Sequence, residues 1–257
     1  MTTPAALLAA ALFATGCATT RHQPDALAQV STINSLMAGQ FQGQVPFAEV
    51  ARHGDIGLGT VDGLDGEMIG VDGVFYRIDF NGDARPVAPT DTTPFAAVAP
   101  FSPDSTTTVE AASLAALRTA AEARIDPRFF HVLRVDGTFA NLHVRSVARQ
   151  PNGRALTEVL AEQSEFRYDT VEGTLVGIYS PAWAAGLNVP GYHFHFINAG
   201  RTRGGHVLDA GAISATLAVD RKLEWTVLVG ENFVPGDAGA GLPAARMKSL
   251  FAPAEAE

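Results

Sequence analysis

The sequence predicts an α+β protein: a mixed α/β arrangement of mixed, largely antiparallel β-sheets with flanking helices. Three observations lead there. Short runs rich in Val, Ile and Phe are separated by Asp-Gly steps, which favour hairpin turns. One Ala/Leu-rich run, Val109 to Arg124, reads as an amphipathic helix. Helices and hairpins come in groups, without the strict strand–helix alternation of a parallel α/β sheet.

At the N-terminus, Ala5 to Ala14 is an apolar run too short to span a bilayer, and Thr15 and Gly16 place small residues just before Cys17. This resembles a bacterial lipoprotein signal peptide over 1–16, with Cys17 acylated, a polar tether over 17–25, and a cell-envelope or secreted location. No Lys or Arg precedes the apolar run. A wrongly chosen start codon or an apolar N-terminal helix, with a cytoplasmic location, is therefore the competing reading. One lipid chain anchors only weakly, so the membrane would be an address and not a substrate.

Between Ala26 and Met37 the apolar spacing is irregular, and a short helix before Gly39 fits it best. A second short helix covers Pro46 to His53, with Pro46 near its first turn and Gly54 closing it. Strands follow at Ile56–Thr60, Glu67–Val71 and Val74–Asp79, separated by Asp-Gly turns. Five prolines between Pro86 and Pro103 break regular structure, and Ser105 to Thr108 offer capping hydroxyls to the helix Val109–Arg124. Asp126 and Pro127 end that helix. Phe130–Val135 and Thr138–Ser146 read as a strand pair about Asp136 and Gly137. Ala155–Gln163 reads as a helix burying Leu156, Val159 and Leu160. The remainder is strands: Phe166–Val171, Gly173–Tyr179, a hairpin from Gly191 to Asp209, then Ala215–Val219 facing Leu223–Val229 across Asp220 and Arg221.

A chain of 257 residues, 47% hydrophobic and 18% charged, can bury a sizeable core in one large domain or two small ones. Its net charge of -9 argues against nucleic acid as a partner and against adsorption to anionic lipid. A small anionic substrate stays compatible, because a local arginine can hold a carboxylate whatever the global charge. A single cysteine excludes an internal disulfide. No phosphate-binding Gly loop, serine nucleophile elbow or dinucleotide fingerprint is present.

The most informative stretch is Gly191 to Ile197, followed by a Gly-containing turn and then Gly204 to Asp209. Alternation along a strand puts His193 and His195 on one face, with Tyr192, Phe194 and Phe196 on the other. If Asn198 to Gly205 form a bend, His206 returns beside His195, and three imidazoles converge. Three nitrogen donors with positions left open suit a catalytic divalent metal such as zinc. Two histidines on a strand are otherwise ordinary surface residues, and His53, His131 and His143 lack any such pattern. Arg145 shares a strand face with Asn141 and His143, so it is either a cation facing a substrate carboxylate or half of a structural ion pair. Glu67 lies where an Asp-Gly turn enters an apolar strand: a partly desolvated acid able to deliver a proton, or a turn cap.

Several separated motifs together resemble the acetolactate decarboxylase family. They are Gly57 to Ile69, Arg145 to Val147, Gly173 to Gly177 with Ser180 and Pro181, and Gly191 to Phe196 with Gly204 to His206. The likeness runs in order from about Ser31 to Leu228. It implies a two-domain, mixed-sheet fold, divided here as 26–124 and 125–257, and a homodimer. It also implies zinc held by His193, His195 and His206, an active-site Arg145, and a catalytic Glu67 joined by a second glutamate from the tail, Glu255 or, alternatively, Glu257. The expected reaction converts 2-acetolactate to acetoin and carbon dioxide through a zinc-stabilised enediolate. Val61, the step Gln150 to Gly153, and Ala199 with Gly200 depart from the family pattern at packing and turn positions. Two other readings compete: a cupin-like metal-dependent oxygenase or isomerase, weakened because Ile197 to Gly200 lack the glutamate such motifs carry, and a non-catalytic envelope protein binding zinc or a small ligand.

Overall fold

The computed structural model of the chain describes residues 25–235. The signal segment, Cys17, most of the tether, and both Glu255 and Glu257 lie outside the described residues. In chain order the elements are β1 (Ala26–Val30), α1 (Ile33–Met37), β2 (Val45–Pro46), α2 (Phe47–Val50), β3 (Ile56–Thr60), β4 (Glu67–Val71), β5 (Val74–Ile78), β6 (Ala84–Pro86), β7 (Thr92–Thr93) and β8 (Ala96–Ala99). They continue with β9 (Ser105–Ala111), α3 (Leu114–Glu122), β10 (Phe130–Ser146), α4 (Leu156–Leu160), β11 (Ser164–Ser180), β12 (Gly191–Asn198), β13 (Gly204–Asp209), β14 (Ile213–Lys222) and β15 (Glu224–Leu228).

The α+β expectation holds: strands dominate and the helices are few and short. One sheet has the order β15-β1-β8-β3-β4-β5-β6, antiparallel except where β15 runs parallel to β1. The other has the order β11-β12-β13-β10-β14-β9, and β11 also pairs with β10. The run β10–β11–β12–β13 therefore closes on itself, with β10 touching β11 along its whole length and β13 only near His143 to Arg145. Sheet membership does not follow chain order, since β9 and α3 attach to the closed sheet and β15 returns to the first.

Alternation along these strands builds the core. Inside the closed sheet, Leu133, Val135, Phe139, Leu142, Phe194, Phe196 and Leu217 pack together, covered by Leu114, Leu117 and Ala121 of α3. On the outer face, Val132, Val176, Ile178 and Ile197 meet Ile56, Leu58, Ile69 and Ile78 of the first sheet. A third cluster joins α1 and α4 through Ile33, Leu36, Phe41, Leu64, Phe95, Val147, Leu156 and Val159.

Several local expectations are corrected. Ala26–Val30 is a strand, and the helix starts only after Thr32, whose hydroxyl accepts from the Ser35 N–H. The Ala/Leu-rich helix starts at Leu114 behind the cap Ser113, and Ser105–Ala111, rich in β-branched Thr and Val, pairs with β14. No turn forms at Asp136 and Gly137, so β10 is one 17-residue strand. Gly137 is needed instead for close approach, because a Cβ there would sit 2.2 Å from the Ser214 carbonyl oxygen. Gly173 plays the same part in β11, likewise a single strand, against the Ile197 carbonyl and the Phe196 ring. Asp220 and Arg221 stay within β14, and β15 pairs with β1, not with β14. The buried Asp220 carboxylate accepts from Lys222 Nζ at 2.9 Å and from the Ser102 N–H at 2.7 Å, which leaves no turn to form.

Candidate metal centre and active site

The hairpin of β12 and β13 forms as alternation requires, with His195 directly opposite His206. His193 and His195 leave the outer face of the closed sheet, while Phe194 and Phe196 enter its core. β13 then passes closely against β10, where a Cβ on Gly205 would lie 2.7 Å from the Arg145 carbonyl oxygen. This approach sets His206 across from Arg145 in the register.

All three imidazoles are buried, and three of their nitrogens form a near-equilateral triangle. His193 Nε2 is 3.1 Å from both His195 Nε2 and His206 Nδ1, which are 3.2 Å from each other. Bonds of about 2.0–2.1 Å from nitrogen to one divalent cation put adjacent donors roughly 2.9–3.4 Å apart, so the triangle fits a metal such as zinc. The protonation state fits as well. Burial drives His193 well below the usual imidazole range and His195 down to about 3, so both rings are neutral near pH 7. His195 Nδ1 faces the Met68 carbonyl oxygen at 2.8 Å, and a proton donated there leaves the Nε2 lone pair pointing into the triangle.

The first sheet supplies the acid. Gly66, at φ 93, turns the chain into β4, and Glu67 arrives buried with Oε2 3.4 Å from His195 Nε2. Its Oε1 accepts from Arg145 Nη1 at 3.2 Å. Burial pushes the Glu67 carboxyl up to about 7, against the opposing pull of Arg145, and it also lowers the Arg145 guanidinium. The two sheets are pinned beside this pair by Ser146, whose hydroxyl donates to the Ile78 carbonyl at 2.9 Å.

Glu67, Arg145, His193, His195 and His206 thus line one small pocket. Ile33, Leu36, Leu64, Phe95, Val147, Leu156 and Leu160 line the rest, and Thr60 and Gly59 edge it. Leu156 and Leu160 belong to the helix face that the sequence predicts to be buried, but no sequence pattern marks this aliphatic wall as part of the site. The Met68 carbonyl carries no signal either, being a backbone acceptor. The other histidines among the described residues lie elsewhere. His131 Nδ1 faces the Phe129 carbonyl and its Nε2 accepts from the Asp126 N–H, His143 pairs with Glu165 at 2.8 Å, and His53 lies 3.3 Å from Glu49.

A cluster of buried imidazoles for a cation, a buried acid, and a guanidinium at a small, partly apolar pocket can bind and activate a compact oxygen-rich acid. Comparison with known proteins points the same way. Residues 27–233 match the family described as alpha-acetolactate decarboxylase. A relative of that name from Methanosarcina mazei is 42% identical over 199 residues, covering 76% of this chain and 69% of that protein. One from Methylococcus capsulatus is 39% identical over 213 residues, 82% of each. The crystal structure of alpha-acetolactate decarboxylase from Bacillus subtilis strain 168 superposes with a TM-score of 0.81 at 32% identity, covering 89% of this chain and all of that one.

Proposed function

The chain belongs to the alpha-acetolactate decarboxylase family and is an enzyme of that activity, and from this premise we propose that it works through a zinc ion held by His193, His195 and His206 and through an enediolate. The observation that carries the reading is the triangle of ring nitrogens 3.1–3.2 Å apart, lying beside the buried Glu67–Arg145 pair.

The substrate carries a carboxylate on a carbon that also bears a hydroxyl, with a ketone next to it. When the bond to the carboxylate breaks, its electron pair moves toward the ketone oxygen and carbon dioxide leaves. His193, His195 and His206 would hold the divalent cation, which would supply a Lewis acid lowering the energy of that developing charge. Arg145 orients the carboxylate, and its partner Glu67 limits how tightly the guanidinium holds that group, which keeps the ground state from being over-stabilised. Glu67 gives its proton to the carbon that lost carbon dioxide, yielding acetoin, and recovers a proton from solvent. A carboxyl raised to about 7 by burial keeps a substantial protonated fraction at neutral pH, whereas an ordinary glutamate is almost fully ionised there. The fixed position of Glu67 on one side of the cavity restricts delivery to one face of the planar intermediate.

The test is acetoin formation by purified protein, with metal content measured alongside. Chelation should abolish acetoin release, and added zinc should restore it. Full activity after complete metal removal would sink the metal reading. An inactive protein still loaded with zinc would favour a non-catalytic binding role.

A further inference from the structure

The aliphatic half of the cavity contains no group that the decarboxylation uses, yet one of its residues is held in an unusual way. Leu64 is buried, lines the cavity, and adopts φ 53, a left-handed conformation that a residue with a branched side chain rarely takes. Its loop is braced on every side. The Gly63 N–H donates to the Phe41 carbonyl at 2.7 Å, and the Gln150 N–H donates to the Gly63 carbonyl at 2.7 Å. The Thr60 hydroxyl donates to the Gly66 carbonyl at 2.6 Å, and the Gly66 N–H donates to the Leu64 carbonyl at 2.8 Å. Asp62 accepts from the Gly43 N–H and pairs with Arg149, while Asp65 pairs with Arg77. Non-glycine residues over-determined in this way cluster at ligand clamps.

We propose that Leu64 is a specificity-determining residue that sets the size of the alkyl group accepted on the hydroxyl-bearing carbon of a 2-hydroxy-3-keto acid. The inference rests on the decarboxylase reading of the same site. Carboxylate, hydroxyl and ketone all require the end of the cavity formed by Glu67, Arg145 and the histidines, so the substrate's alkyl groups face the aliphatic end. A size filter must not yield. The neighbouring wall residues Ile33, Leu36, Leu156 and Leu160 come from five-residue helices, whereas Leu64 projects from a backbone that the bonds of its loop hold in place. One methylene of misfit in such a pocket changes kcat/KM by roughly 10–200-fold.

The test compares kcat/KM of the zinc-loaded enzyme for acetolactate and for its homologue with ethyl in place of that methyl. The unmodified enzyme should prefer acetolactate by about tenfold or more, and Leu64→Ala should bring the two to within about threefold. Leu64→Gly tests the same point with a residue suited to the left-handed backbone, should alanine compromise folding. Leu64→Met, which keeps the volume, should keep the preference. Binding gives a readout apart from turnover: 2-hydroxyisobutyrate and 2-hydroxy-2-methylbutyrate lack the ketone and cannot react, and the ratio of their inhibition constants should shift in the same direction. An unchanged preference in Leu64→Ala and Leu64→Gly, or no preference in the unmodified enzyme, overturns the proposal while acetolactate is still consumed. Failure of the unmodified enzyme to make acetoin would instead overturn the decarboxylase reading, and the proposal with it.

Discussion

Glu67 and Arg145 are 78 positions apart in the chain, and their meeting decides the chemistry of both. In the sequence alone Glu67 fits a turn cap and Arg145 half of a structural pair; the structure buries both beside three imidazoles at one pocket, the placement on which the proposed substrate-facing roles rest. Replacing Glu67 by Gln keeps the shape but removes the transferable proton, so kcat should fall by about 10²–10⁴-fold with metal content unchanged. A Glu67→Gln enzyme with normal turnover would remove this residue from proton delivery. Arg145→Lys offers a point charge in place of a planar fork and should raise KM more than it lowers metal content. Of the site, the histidine triad was the most legible, because strand alternation and one hairpin are local properties. Leu64 was not legible as a site residue: a leucine within Asp62 to Gly66 reads as loop until Phe41 and Gln150 are seen to hold it.

Among the elements, the hairpins with true Asp-Gly turns, such as β4–β5, could be read directly, while those that the closed sheet overrode could not. Gly137 and Gly173 resemble turn glycines in sequence, but they let neighbouring backbones and rings approach within a strongly curved sheet. Gly137→Ala should therefore destabilise the protein by about 1–3 kcal/mol, read as a lower urea midpoint, because the Ser214 carbonyl cannot move without its own strand. An unchanged midpoint would show that the closure is more forgiving than its geometry implies. β1 was missed because its Ala-rich segment favours helix locally, and only the flanking β8 and β15 make an extended conformation the better choice.

At the scale of the molecule, the site is a seam between two sheets, and that has a thermodynamic cost in acid. Burial holds His131, His193 and His195 below the ordinary imidazole value. Between about pH 5.5 and 7 the unfolded chain binds protons that the metal-free folded protein refuses, so stability falls as pH falls. Glu67 works in the opposite sense, because its raised value lets the folded state hold a proton that the unfolded chain has lost. Metal-free Glu67→Gln protein removes that opposing contribution, and its urea midpoint should be lower at pH 5.5 than at pH 7. A midpoint that stays level or rises would mean those rings are not neutral in the fold. Which strands would form the seam was beyond the sequence, because the register between sheets depends on twist and on distant partners, not on any local period.

The parallel pairing of β15 with β1 has a consequence for how the protein is made. β1 leaves the ribosome early, but the strand that covers its outer edge emerges only near the end of the described chain. For most of translation that edge presents unpaired amides and carbonyls, a template on which a second nascent chain can dock. Premature termination before Glu224 would make the vulnerability permanent, so truncated products of this chain should clump even where their histidine hairpin is complete.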